Sequence, residues 1–259
     1  MKNLLKADYY KLYKSKMTYV LIIICALLSI FTLLLEVFLK FVIKELDADV
    51  PISIEGRSIM FGTLSLTNNT GLLIIIFVGI FTLTDIKHGT IRNKILCGEN
   101  RIKIYLSHLI VSSTMCLIAS IISFLVLAIG GIAIFGYGPV FNGDEALNFI
   151  RCSVIGIVSY IFVASVSTFF ALTTKSTPLT IILTLSIMLG LSIISAISFS
   201  LPTDKFKYLF YIVPTYATTI ASQGYVSAEV FTYGIISLIV FIAINTVLGI
   251  FLFRKIDVK

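Results

Sequence analysis

Charge is what this sequence has least of. Only 13% of its 259 residues are Asp, Glu, Lys or Arg, while 58% are hydrophobic. Soluble domains carry about one quarter charged residues, so an ordinary water-facing surface is excluded and a bilayer is needed to solvate the apolar excess. Catalytic side chains are scarce too. There are two histidines, His88 and His108, and no HExxH, GxSxG or GxxxxGK[ST] pattern, which removes zinc-protease, serine-hydrolase and phosphate-loop chemistry. Asp144 and Glu145 are adjacent, but in a polar stretch where a solvated pair is expected. The four cysteines, Cys25, Cys97, Cys116 and Cys152, show no CxxC or zinc spacing. Cys25, Cys116 and Cys152 read as small hydrophobes, and no disulfide framework is expected. The chain is therefore expected to be no enzyme, with no catalytic, cofactor-binding or metal-binding residue of its own.

What it has in abundance is long apolar runs. A helix crosses the hydrocarbon with about 20 apolar residues, and six stretches reach that length: 17–39, 61–84, 108–135, 152–174, 179–201 and 231–253. Asn68 and Asn69 interrupt the outer half of the second, and the third is long enough to tilt or project beyond the bilayer. The first run follows a basic N-terminus as a secretory signal would. It exceeds a signal h-region of roughly 7–15 residues and lacks a small-residue cleavage site, so a retained first helix is expected. The formal charge of +7 does not indicate nucleic acid, because the basic residues lie in short segments between apolar runs rather than on one polar face.

Those segments set the orientation. With the N-terminus inside, the inner segments hold 14 of the 20 Lys and Arg residues but only 4 of the 13 acids. Cytoplasmic loops are the ones enriched in Lys and Arg, so both termini are expected in the cytoplasm. The expected fold is an all-α integral membrane protein with six transmembrane helices, preceded by an amphipathic interfacial helix over 1–16.

That first segment places Leu5, Tyr9, Leu12 and Tyr13 on one helical face, with Lys11 and Lys14 roughly opposite. An aromatic stripe with snorkelling lysines describes a helix lying in the inner interface. The outer loop 40–69 has room for a short helix. The inner loop 85–105 is the most informative part of the chain. Gly89 suits a tight turn and Thr90 an N-cap. Ile91, Lys94 and Ile95 then share one face of a short helix that Gly98 ends, and such a helix can dock into a partner's groove. Residues 202–228 are too long for a simple turn, yet Pro214 cuts their aromatic run short of a span, so a re-entrant or interfacial hairpin at the outer surface is expected.

Ionisable residues inside a bilayer mark ion paths and proton relays, and the spans carry almost none. Glu36 lies near the outer end of the first, and Asp85 and His108 sit at inner boundaries. Asn245 in the sixth span reads as an interhelical hydrogen-bond group. Energy for any transport would then come from outside the chain.

Three pieces of the sequence resemble the membrane subunit of ABC-2-type exporters, particularly bacterial permeases of bacitracin and lantibiotic self-protection. They are the basic segment 4–16 running into the first span, the inner loop with Asp85, Gly89-Thr90-Ile91-Arg92 and Arg101-Ile102-Lys103-Ile104-Tyr105-Leu106, and the ending with Gly249, Phe253, Lys255 and Asp257. The resemblance implies a single ABC-2-type transmembrane domain over 1–259 in a bacterial cell membrane. It implies a permease subunit driven by two copies of a cytosolic ABC ATPase, which would hold the ATP and Mg. It further implies a second, identical or related permease and export of an amphipathic peptide or drug, hence antimicrobial-peptide resistance. On the same basis, Asp85, Lys87, Gly89, Thr90, Ile91, Arg92, Lys94, Ile95 and Arg101 would form the ATPase-coupling loop, and 1–16 the connecting helix. Two other readings are a membrane scaffold or sensor partner that recruits a cytosolic protein without transport, and an ion-coupled carrier. An intramembrane enzyme lacks the residue types it would need.

Overall fold

Among the described residues, six helices are long and apolar enough to cross a membrane, and they account for most of the chain. A computed structural model describes residues 1–45, 55–66, 68–198 and 208–255. Among these no strand occurs. In order, the helices are α1 (Lys2–Lys14), α2 (Lys16–Glu45), α3 (Gly56–Gly62), α4 (Asn69–Lys87), α5 (Thr90–Leu96), α6 (Arg101–Phe135), α7 (Gly143–Thr174), α8 (Thr177–Ser198), α9 (Pro214–Ala221) and α10 (Ala228–Lys255). The candidate spans are α2, α4, α6, α7, α8 and α10. Leu4 near the start of α1 packs in one cluster with Phe253 near the end of α10, so both ends of the described chain meet at one face, here called the terminal face.

The expected span 61–84 is shortened. Phe61 and Gly62 close α3, the chain turns, and a new helix starts at Asn69. Asn68 causes the break: its amide donates to the Gly62 carbonyl at 3.2 Å, and its side-chain oxygen accepts from the Asn69 N–H at 2.7 Å. Asparagine bonds that compete with the backbone in this way favour turns and helix starts over helix interiors. Conversely, α6 and α7 begin at Arg101 and Gly143, well before the expected 108 and 152. A helix continues into polar flanks wherever caps and packing support it, and apolar runs mark only the part in hydrocarbon. At 35 residues, α6 is about 52 Å long, against about 30 Å of hydrocarbon.

Helix α7 is the central post. It packs on α4, α6, α8, α9 and α10, and 67% of its most apolar stretch is buried, against 17% for α2 and α10. The outer helices leave rows such as Ile23, Leu27, Leu34 and Phe38 of α2 uncovered, as lipid-facing helices must. At the opposite face the expected segment 40–69 holds α3, which docks on the end of α6 through Gly56 N–H to the Gly136 carbonyl at 2.9 Å. Of the expected hairpin 202–228, residues 202–207 lie outside the described chain. The rest is a helical turn at 208–211 and α9, whose first position is Pro214. Proline is well placed there, because the N–H it lacks has no helical partner at that position. Cys25, Cys116 and Cys152 are buried and Cys97 is exposed, all as free thiols.

Candidate functional site at the terminal face

The link between α4 and α6 is a tight helix-turn-helix device. Gly89 adopts φ 67, a left-handed turn that glycine enters without steric cost, and it caps α5. Gly98 at φ 84 ends the same helix two residues after Leu96. Asn100 then caps α6, accepting the Ile102 N–H at 3.0 Å. Gly89 and Gly98 act as expected. Thr90 does not: it is the first residue of the helix, and its hydroxyl turns back to donate to the Asp85 carbonyl and carboxylate, both at 2.8 Å.

That carboxylate belongs to a buried ionic knot. Lys11 of α1 reaches Asp85 Oδ1 at 2.7 Å, and Lys94 of α5 lies 4.0 Å from Asp85 Oδ2. Lys94 makes its shorter contact, 2.6 Å, with Asp8 of α1, and the Ser107 hydroxyl of α6 donates to the other Asp8 oxygen at 2.6 Å. His108 places Nε2 3.5 Å from Asp85 Oδ2. Asp8 and Asp85 are only 5% and 4% exposed. Burying an unpaired carboxylate would be prohibitive, and here each has an ammonium within 2.7 Å and a hydroxyl, Asp85 with Lys94 as a second, more distant ammonium. The Lys11 ammonium also lies 4.5 Å from the centre of the Phe81 ring, a cation–π contact. Three helices, α1, α4 and α5, are thereby joined by charge, and the Ser107 hydroxyl ties α6 to them.

An apolar floor lies beside the knot. Leu4, Ile91, Ile104, Tyr105, Leu172 and Phe253 are buried together, with Ile86, Ile95 and Ile250 packed against them. Here two of the sequence pieces that carry the family resemblance meet. Arg101 donates to the Phe253 and Arg254 carbonyls at 3.3 and 2.9 Å, closing the C-terminal end of α10 where a cation is favoured. One turn on, Tyr105 lies against Gly249. A Cβ at that position would overlap the Tyr105 hydroxyl and lie 2.5 Å from its Cζ, so only glycine admits the ring.

The expected coupling residues therefore divide into two sets. Asp85, Thr90, Ile91, Lys94 and Ile95 face the protein's own interior, Ile91 at 1% exposure. Lys87 and Arg92 face outward, as do His88, Asn93 and Leu96. The face that periodicity marks as a docking face is thus used within the chain; its isoleucines belong to the apolar cluster that holds Leu4 of α1, Ile104 and Tyr105 of α6, Leu172 of α7 and Phe253 of α10. Helix α1 shows the same inversion. Its buried line is Leu4, Asp8 and Leu12, with Leu5 at the margin and Tyr9 and Tyr13 outward. Lys11, expected opposite the apolar face, points inward because Asp85 needs it. Asp8, Lys11, Ser107 and His108 are the members that sequence reasoning missed. One signal was available: Asp8 stands four residues from both Leu4 and Leu12, on one face with them. Asn245 makes no side-chain interhelical bond among the described residues; its carbonyl receives the Tyr105 hydroxyl at 3.5 Å.

The opposite face has a simpler polar cluster. Arg57 pairs with Glu145 at 3.1 Å and Tyr137 donates to the same carboxylate at 3.0 Å. Burial, and then this bond and charge, push the Tyr137 phenol up to about 12. Asn148 of α7 holds the loop after α9, donating to the Gly224 carbonyl at 2.7 Å and accepting the Val226 N–H at 2.8 Å. Among the described residues no group of three or more His, Cys, Asp or Glu side chains could hold a metal ion.

What the terminal-face arrangement can do is mechanical. Helix α5 is held on one side by ion pairs and apolar packing, so a displacement of α5 must carry α1 or break a buried pair. Its other side is free for contact. A scan against protein-family models and a search of curated proteins find no match to this chain.

Proposed function

We propose that the chain is the membrane-embedded permease subunit of an ABC-type exporter, driven by cytosolic ATPase subunits and moving an amphipathic peptide or drug. The observation that carries this reading is α5. It is a seven-residue helix between two candidate spans, clamped to α1 by Lys94–Asp8 and presenting Arg92 and Leu96 outward, Leu96 at 74% exposure. In this reading the terminal face is cytoplasmic, by the distribution of Lys and Arg. Two ATPases, which hold the ATP and Mg, seat against the α5 loops of this chain and of a second permease. The turn at 208–211 and α9 form part of a hairpin re-entering from the outer side. Nucleotide-driven closure displaces α5, and the ionic knot passes that displacement to α1 and α6. A shift of this kind follows only if the two states differ in their contacts at the loop.

The contact surface belongs to the outward residues. Arg92→Glu with Leu96→Asp should abolish co-purification with the cognate ATPase while membrane insertion is retained. Ile91→Asp should instead lower the yield of folded protein, because it places a carboxylate in the apolar floor. Unchanged co-purification in the Arg92/Leu96 variant would remove α5 as the docking element. Cargo that leaves the ATPase rate of the complex unchanged would favour a recruiting scaffold, and uptake or efflux that follows an ion gradient without ATP would favour a carrier.

A further inference from the structure

Helix α1 has three faces, and the structure uses only one of them internally. Leu4, Asp8, Lys11 and Leu12 turn to the protein. Tyr9 and Tyr13 are outward on one flank. Lys2, Asn3, Lys6, Ala7, Tyr10 and Lys14 make up the remaining exposed surface, continued by Lys16 at the start of α2. The exposed faces carry no acid, because Asp8, the one carboxylate of the helix, is drawn inward by Lys94 and Ser107. Among the described residues no carboxylate lies within ion-pair distance of Lys2, Lys6, Lys14 or Lys16, whereas Lys11 and Lys94 are both satisfied. Sequestering Asp8 therefore leaves a uniformly cationic face.

The tyrosines place this face at a membrane boundary. Tyr13 meets Tyr19 of α2 edge-on at 6.5 Å, and the Lys14 ammonium lies 5.8 Å from the Tyr13 ring centre. Ser15, with extended backbone, separates α1 from the apolar run of α2. Tyrosine rings favour the headgroup level, and lysine stems cross it to place their ammonium groups among phosphates. Asn3, Lys6, Ala7 and Tyr10 form one open, shallow patch of this face, whose ammonium, amide and phenol hydroxyl can all donate to an anionic oxygen. We infer that the exposed face of α1 is a binding surface for the headgroups of anionic phospholipids. The occupant is chosen by charge complementarity with the four lysines and by the tyrosines that fix the depth. The inference rests on the membrane reading of the chain and is independent of any ATPase.

The chain contains no tryptophan, so Tyr9→Trp, outside that donor set and with the same preference for the headgroup level, supplies a single reporter in the full-length protein. The variant is reconstituted in bilayers of phosphatidylcholine with about 10 mol% phosphatidylglycerol, one lipid at a time being brominated near the head of its acyl chain. Each basic residue near a surface attracts anionic lipid by roughly 1 kcal/mol, a factor of about five. Quenching per mole of brominated phosphatidylglycerol should therefore exceed that of phosphatidylcholine about five-fold. Lys2, Lys6, Lys14 and Lys16→Gln together should bring the ratio to about one, whereas the same four as Arg should keep it. Equal quenching in the parent reporter protein would overturn the inference, as would a preference that survives in the Gln variant. No quenching by either lipid would place the face in water or against a protein, and would overturn it equally. The Arg set keeps the test decisive if the Gln variant folds poorly.

Discussion

The contact that joins α5 to α1 can be weighed with a double-mutant cycle on Asp8 and Lys94. The pair is 2.6 Å apart, with side chains 7% and 17% exposed. Removing one member of a buried pair costs about 3–5 kcal/mol when the survivor is stranded. Neither survivor is wholly stranded here. In Asp8→Asn, Lys94 keeps Asp85 Oδ2 at 4.0 Å. In Lys94→Met, Asp8 keeps the Ser107 hydroxyl at 2.6 Å. Each single change should then cost about 2–3 kcal/mol, below the stranded-charge figure. The double variant strands no charge, so it should cost about as much as one single change, which leaves a coupling of about 2 kcal/mol. Equilibrium unfolding in mixed detergent micelles, followed by loss of helicity, measures all four corners of the cycle. Additivity to within about 0.5 kcal/mol would refute the claim that the two helices are held by this pair. If the pair also transmits work, the single variants should still bind the ATPase but show weaker cargo stimulation.

Two further outcomes are expected. Gly249→Ala sets a methyl group against Tyr105 and should destabilise by about 1–3 kcal/mol. Tyr105→Phe should restore only part of that loss, since the ring carbon beneath the hydroxyl is also too close, and an unshifted melting temperature would contradict the packing. Asn148→Ala removes both bonds that hold the loop at Gly224 and Val226. That should cost about 1–3 kcal/mol and speed amide hydrogen exchange over 224–226 while α7 stays protected; unchanged exchange there would show that α9 packing alone holds the loop.

The terminal face shows how far one-dimensional patterns reach. Gly89 and Gly98 were readable because a positive φ restricts the residue type, and Arg101, Tyr105, Gly249 and Phe253 were readable as pieces of pattern. That Arg101 closes α10 and that Gly249 exists to admit Tyr105 was not readable, since the partners stand about 150 residues apart along the chain. Periodicity also identified an apolar face on α5 without saying what covers it. Ile91 and Ile95 are taken up by the apolar cluster beneath α5, so the free side is the polar one.

The apolar runs by themselves determined that the described residues hold six helices long and apolar enough to cross a membrane, because hydrocarbon demands about 20 apolar residues per crossing and internally satisfied backbone bonds. Lys and Arg counts carried the expected orientation for a similarly local reason. Tertiary structure decided the rest: which face of α1 turns inward, and that Asp8, Lys11, Asp85 and Lys94 neutralise one another. A buried charge is tolerated only beside its opposite, and here the opposites lie 74 to 86 residues away in the chain. Only folding brings them within 3 Å.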